Sequence, residues 1–345
     1  PPPYIYILSK DEYDDDHYKN TIDANVDYES YICKGRYIQS HTHPYKQPKV
    51  DKYNYLIKGK HNIDVLLIIP WLCMGGADRF YINMLEQYKN MGLKTCVIIT
   101  ETDLFNKNFN EWIDKAYEYT KDVHTLSNFL SIHEYLNYIK FNLNRSDGTI
   151  KQYKNIIISN SLYTVNKTKE LYEFITDHNL ITKLFHYVHM EEDEWHNGGY
   201  ARFACDNYKY LDNIFVTSLH LKNWILNRIG IEHSDKVVIW TIGININIFK
   251  ENMALTNDEV KTVITMCRFE QQKKPMQLME IIKLSQLNKL KYFFQIYGNG
   301  SYEKEMSDYI KKYTLTNVKL NIGNTSDVQN VLKYSHLLLQ TTEME

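Results

Sequence analysis

Residues 63–88 read IDVLLIIPWLCMGGADRFYINMLEQY. The aliphatic run from Val65 to Ile69 has the length and composition of a buried strand. Two bare glycines, Gly75 and Gly76, then precede a segment in which Phe80, Met84 and Tyr88 fall at i, i+4 and i+8. That spacing predicts a helix from about Ala77 to Lys89, with Gly92 as its stop. A strand turning through a loop into a helix is the opening unit of an open α/β fold. Glycines there let backbone N–H groups approach an anion at the helix N-terminus. A tight turn that holds nothing uses the same residues, so both readings stand.

The rhythm continues on the C-terminal side. KTCVIIT, NIIISN (155–160), TKLFHYVH (182–189), NIFVTS (213–218) and KVVIW (236–240) read as strands, with helical patterns at Thr164 to Thr176 and Leu219 to Ile229. After Phe249 a polar joint, KENMALTNDEV, interrupts it. Then KTVITMC, KYFFQIY, NVKLNI and HLLLQ read as strands, separated by helices at Met276 to Leu287, after Ser301 and over SDVQNVLKY. Alternating short strands and helices predict the α/β class, with parallel sheets covered on both faces. The expected organisation is an N-terminal arm over 1–60, one Rossmann-like domain over 61–250 and a second over 251–345. Two such units in tandem are expected to bind ligand outside the carboxyl ends of their strands. The second unit shows four strands where five or six are usual, so a truncated C-terminus is expected.

Composition narrows the function. A net charge of −2 gives no electrostatic ground for binding nucleic acid. Cys33, Cys73, Cys96, Cys205 and Cys267 form no C-x-x-C pair, which argues against a zinc ribbon or disulfide framework and fits a reducing, cytoplasmic setting. No apolar run reaches the length of a membrane span, which leaves peripheral membrane contact open. Pro1-Pro2-Pro3 without an initiator Met suggests a start inside a longer protein. Asp14-Asp15-Asp16 has no flanking strand to present it and reads as a solvated charge run.

Three further stretches carry chemistry. In MCRFEQQKKP, Arg268 follows a strand directly and Lys273 precedes the next helix, which puts two cations at a sheet's carboxyl edge. Fixed positive charge there suits a departing diphosphate, although any surface loop carries such residues. In IYGNGSYEKEM, Gly298, Asn299 and Gly300 lie between a strand and a helix, either as a backbone site for phosphate or nucleoside or as a plain turn. His189 ends a strand, where it either lines a ligand site or is a partly exposed loop histidine, whereas His186 lies inside the strand and reads as a packing residue. Glu191 to Glu194 read as a solvated acidic loop, and no His/Asp/Glu spacing makes a metal site. Neither glycine loop has the G-x-G-x-x-G form of a nicotinamide enzyme.

In order and spacing, these stretches resemble the retaining glycosyltransferases of family 4, glycosyl transferases group 1, which have the GT-B fold. IIPWLCMGGADRFYINML is similar to that family's first strand and Gly-Gly-x-x-Arg loop. VTSLHLKNWILNRIGI and VVIWTIGININIF resemble the close of its first domain, where Gly243, Asn245 and Phe249 match a Gly-x-Asp-x-x-x-Phe signature. MCRFEQQKKP resembles its Gly-Arg-x5-Lys region, YGNG its Gly-x-Gly turn, and LLLQTTEME the start of its Pro-Ser-x-x-Glu-Gly segment. Cys267 and Lys274 stand where the family has glycine, Ile242 where it has asparagine and Asn245 where it has aspartate, and Thr341-Thr342 replace Pro-Ser.

The resemblance implies transfer of a sugar from a UDP- or GDP-linked donor to a glycan, lipid or protein-linked acceptor, without a metal. It implies an acceptor-binding first domain that presents Gly75 and Gly76 to the donor, and a second domain that binds the sugar nucleotide. Arg268 and Lys273 would neutralise the leaving phosphate, and His189 would lie near the transferred sugar. Glu345 would be the first glutamate of the family's Glu-x7-Glu motif. An epimerase or phosphorylase-like enzyme and a non-catalytic nucleotide-sugar-binding module are the alternatives.

Overall fold

A computed structural model describes residues 5–6, 38–39, 63–73, 75–101, 112–128, 130–143, 153–192, 195–244, 259–323 and 328–342. Asp14 to Asp16, Asn245, Phe249 and Glu345 lie outside them. The chain divides into two compact units, 1–242 and 243–345, against the joint at 250–251 expected from the sequence. Within the expected arm, residues 5–6 pair antiparallel with 38–39.

The first unit is a seven-stranded, all-parallel sheet. Its strands are β1 (Val65–Ile69), β2 (Thr95–Ile99), β3 (Val123–Thr125), β4 (Asn155–Ser159), β5 (Lys183–Val188), β6 (Asn213–Val216) and β7 (Val237–Ile239). They lie in the order β3-β2-β1-β4-β5-β6-β7, so β1 is central, pairing with β2 on one side and β4 on the other. Every residue of β1 is buried, and they alternate between two cores. Leu66 and Ile68 join Ile156 and Ile158 in one, while Val65, Leu67 and Ile69 join Ile157 in the other. Period-2 alternation with both faces apolar is what a strand covered on both sides requires. His186 shares a face with Leu184 and Val188 and is 1% exposed, a packing residue as expected.

The helices between these strands follow the same logic. α1 (Gly76–Asn90) buries Phe80, Tyr81, Met84 and Leu85, and the left-handed Gly92 closes its last turn. The segment read as one helix from Thr164 is two, α4 (Leu162–Val165) and α5 (Thr168–Asp177), after α2 (Ile113–Tyr117) and α3 (Tyr135–Leu143). Ser161 caps α4 by accepting from the Thr164 N–H at 3.1 Å, and Ser218 caps α7 (Leu219–Ile229) by accepting from Leu221 at 3.2 Å. α6 (Gly199–Asn207) lies between β5 and β6.

The second unit repeats the pattern with β8 (Lys261–Met266), α8 (Pro275–Leu287), β9 (Tyr292–Gly298), α9 (Glu303–Lys312), β10 (Val318–Ile322), α10 (Val328–Lys333) and β11 (Leu337–Leu338). The order is β10-β9-β8-β11, parallel throughout. Phe269, Met279, Ile282, Ile296 and Met306 are fully buried in its core. Each such side chain contributes about 1.5–3 kcal/mol of transfer free energy.

Candidate functional site

In a parallel sheet every strand delivers its next loop to the same edge, so functional groups collect there from distant parts of the chain. In the first unit the Gly75–Gly76 loop follows β1. Gly75 is extended backbone, and a Cβ on it would lie 2.7 Å from Asp78 Oδ2. Asp78 is buried, and its Oδ1 accepts the Cys73 N–H at 3.0 Å, which ties the loop to the first turn of α1. Gly75 is therefore bare for a reason internal to the loop. Gly76 is exposed, and a Cβ there would meet nothing within 4 Å.

Thr100 and Glu101 follow β2. Glu101 Oε1 accepts the Tyr163 N–H at 2.9 Å and is approached by Ser161 Oγ at 3.4 Å, while Thr100 donates to Oε2. Burial raises its pKa above the ordinary carboxylate range against these hydrogen bonds. Glu101 belongs to no sequence motif; its one signal is its place at the carboxyl end of an aliphatic strand.

His189 follows β5. Its ring packs edge-on against Phe80 and Tyr81, with centroids at 5.6 Å, and lies 4.8 Å from Tyr187. Ser159 Oγ, at the end of β4, is 3.2 Å from its Nε2, and the Thr217 hydroxyl donates to its carbonyl at 2.8 Å. Burial lowers its pKa to about 4, so the ring is neutral near pH 7. The acidic run after it is more engaged than expected. Glu191 Oε1 meets His220 Nε2 at 2.6 Å, and burial raises the pKa of Glu192.

In the second unit, two loops are laced together at the carboxyl edge. The Phe269 N–H donates to Asn299 O at 2.7 Å, and the Tyr302 N–H donates to Phe269 O at 3.0 Å. Glu270 accepts from the Ser301 N–H at 3.1 Å and from the Ser301 hydroxyl at 2.7 Å. Those bonds, with the nearby Arg268 charge, hold its pKa below the ordinary range. Gly298 and Gly300, with φ of +152° and +151°, allow this approach. A Cβ on Gly298 would stand 1.9 Å from Cys267 O, and one on Gly300 would stand 2.6 Å from Phe269 O. The lacing thus brings together Arg268, Gly298, Asn299 and Gly300. Arg268 is exposed and forms no ion pair among the described residues. Lys273 ends a single turn over Gln271–Lys273, and its carbonyl accepts from Thr341 Oγ1 at 2.9 Å. Lys274 then takes the left-handed conformation, φ +48°, before Pro275 opens α8. That backbone accounts for the glycine that the resembled family has at this position.

Among the described residues, no three His, Cys, Asp or Glu side chains group as a metal site, and no helix is long and apolar enough to cross a membrane.

Comparison with known proteins bears on both units. Solved glycosyltransferase structures superpose on 81% of this chain. One is the lipopolysaccharide outer core galactosyltransferase WaaB (14% identity, TM-score 0.57, 73% of that chain). Another is Anabaena HepE in complex with UDP (14% identity, TM-score 0.59, 74% of that chain). A third is S. aureus TarM with alpha-GlcNAc-glycerol and UDP (13% identity, TM-score 0.55, 81% of that chain).

The fold is that of the GT-B glycosyltransferases.

Residues 248–345 match the family model described as glycosyl transferases group 1, a stretch that contains the whole laced pair of loops. No curated protein matches the chain. The GT-B fold and the group 1 match together support a glycosyltransferase.

Proposed function

We propose that this chain carries out retaining transfer of a sugar from a UDP- or GDP-linked donor to a glycan, lipid or protein-linked acceptor, without a metal. The observation that carries the reading is the laced pair of loops. Arg268, Gly298, Asn299 and Gly300 lie together at one sheet edge, with Lys273 at the end of the same loop, inside the stretch that matches group 1. In this reading the second unit binds the sugar nucleotide. The Arg268 guanidinium and the Lys273 ammonium stabilise the negative charge that grows on the diphosphate as its bond to the anomeric carbon breaks. The acceptor hydroxyl bonds to that carbon from the same face, and its proton passes to the departing phosphate oxygen. The first unit binds the acceptor, with Gly76 and His189 at the carboxyl edge of its own sheet and His189 meeting a sugar hydroxyl. The UDP bound in the HepE and TarM structures supports a nucleotide-linked donor.

The test is a thermal-shift series with UDP, GDP and their sugars, followed by transfer assays with the anomeric configuration of the product read by NMR. Stabilisation by one nucleotide and transfer with retention are expected. Stabilisation without turnover would identify a binding module instead, and conversion of the donor with no acceptor present would identify an epimerase-like enzyme.

A further inference from the structure

Ser159, at the end of β4, sits between three groups. Tyr81 Oη lies 3.0 Å from its Oγ, the Tyr187 carbonyl oxygen 3.2 Å and His189 Nε2 3.2 Å. Ser159 is fully buried and Tyr81 is 1% exposed. A serine hydroxyl has one proton to give and two lone pairs to offer, so the three contacts are not independent.

Burial drives the Tyr81 phenol strongly upward in pKa, so it keeps its proton. Ser159 is its hydrogen-bond partner, and a buried phenol that does not donate loses a bond at a cost of about 1–3 kcal/mol. Tyr81 therefore donates to Oγ and fills one lone pair. A carbonyl can only accept, so the Tyr187 contact is a bond only when the serine proton points at it. With that proton spent, the contact to His189 must run the other way: Nε2–H donates to the remaining lone pair. All three bonds are then made, and Nδ1 is the ring nitrogen without a proton. The ring cannot turn away from this arrangement freely. Phe80, Tyr81 and Tyr187 pack around it, and Thr217 holds its backbone carbonyl.

We propose that Ser159 is a positioning residue that fixes His189 as the Nε2–H tautomer, so that Nδ1 is offered as a hydrogen-bond acceptor to a hydroxyl at the carboxyl edge of the first sheet. That this hydroxyl belongs to a sugar rests on the proposed function; the tautomer does not. A neutral imidazole that accepts from a hydroxyl selects for a donor group on its ligand, and rejects an ether or a carbonyl at the same place. Because burial already keeps the ring uncharged near pH 7, the choice of tautomer is what decides its hydrogen-bonding character.

The test is nitrogen NMR of the full chain with labelled histidine, with the His189 signal assigned from its loss in His189→Gln. The expected spectrum near neutral pH has a protonated-type Nε2 and an unprotonated-type Nδ1. The opposite pattern in the wild-type protein overturns the proposal whether or not a Ser159 variant folds. In Ser159→Ala the two nitrogens are expected to move toward each other as the tautomers mix, while Tyr81→Phe keeps the wild-type pattern. An unmoved Ser159→Ala spectrum would end the positioning role. In the transfer assay, Ser159→Ala is expected to lower kcat on the order of tenfold through lost orientation, with the donor KM little changed. Absence of transfer in the wild-type protein would count against the proposed function and leave the tautomer standing.

Discussion

The missing Cβ of Gly298 would lie 1.9 Å from the carbonyl oxygen of Cys267, closer than any two unbonded heavy atoms can stand. The two loops of the second unit meet backbone to backbone, and the glycine is a condition of their contact. Gly298→Ala should therefore push the Arg268 loop away. We expect a loss of about 2 kcal/mol or more in urea denaturation, from overpacking together with a φ that alanine resists. Unchanged stability would mean that the loops are not laced.

Gly75 is bare because of Asp78, and this can be tested as a coupling. Gly75→Ala and Asp78→Ala should each destabilise the first unit by about 1–2 kcal/mol, the first by collision and the second by removing the carboxylate that accepts the Cys73 N–H. The double variant should be better than their sum by about 1 kcal/mol, because removing the carboxylate makes room for the methyl. Strict additivity in a denaturation cycle would refute the contact.

Lys274 holds a left-handed backbone that suits glycine. Lys274→Gly should raise thermal stability, by up to about 1 kcal/mol after the added freedom of the unfolded chain is counted. A lower melting temperature would show that the lysine side chain contributes more than its backbone costs.

The buried histidines set an acid limit. The pKa of His186 is lowered to about 3 and that of His189 to about 4, both chiefly by burial, against 6.5 for a free ring. The unfolded chain binds these protons first, so stability is complete above about pH 6.5 and is lost as pH falls toward those values, at up to about 1.4 kcal/mol per pH unit for each ring. His186 Nε2 is buried without a hydrogen-bond partner, so His186→Leu loses nothing there. We expect it to flatten the pH dependence between about pH 3 and about pH 6.5, measured by denaturation. An unchanged slope would move the acid limit to other groups.

On the proposed function, Lys273→Ala should lower transfer by about two to three orders of magnitude while the melting temperature stays near that of the wild type. An unaffected rate would remove Lys273 from the chemistry.

Much of this architecture was legible because strands buried on both faces must be aliphatic throughout. VLLII, TCVII and NIIIS announce themselves without help from their neighbours. β3 does not: its three residues, Val123–Thr125, put a histidine at the centre and form no run. The break between α4 and α5 was also hidden, because the side chains on either side keep a helical rhythm that the backbone does not. In the candidate site, Arg268, Lys273, Gly298, Asn299 and Gly300 were visible because the chemistry is local to each loop. The Gly75–Gly76 loop is visible too, but nothing in the sequence ties Asp78, the cause of Gly75, back to that loop. Tyr81, Glu101 and Ser159 belong to no motif. Ser159 meets His189 because β4 and β5 pair with Ser159 opposite Tyr187, a register that no short stretch of sequence contains.

The central place of β1 carries a cost in time. Val65 pairs with Asn155, about ninety residues later in the chain. At about 5–20 residues per second, roughly 5 to 20 s of synthesis separate the two strands. Throughout that interval five consecutive aliphatic residues have at least one open edge and no local hairpin to close it. The edge of β1 that β4 covers is thus the last part of the central pairing to close during synthesis, and slowing translation between β1 and β4 should lengthen its exposure.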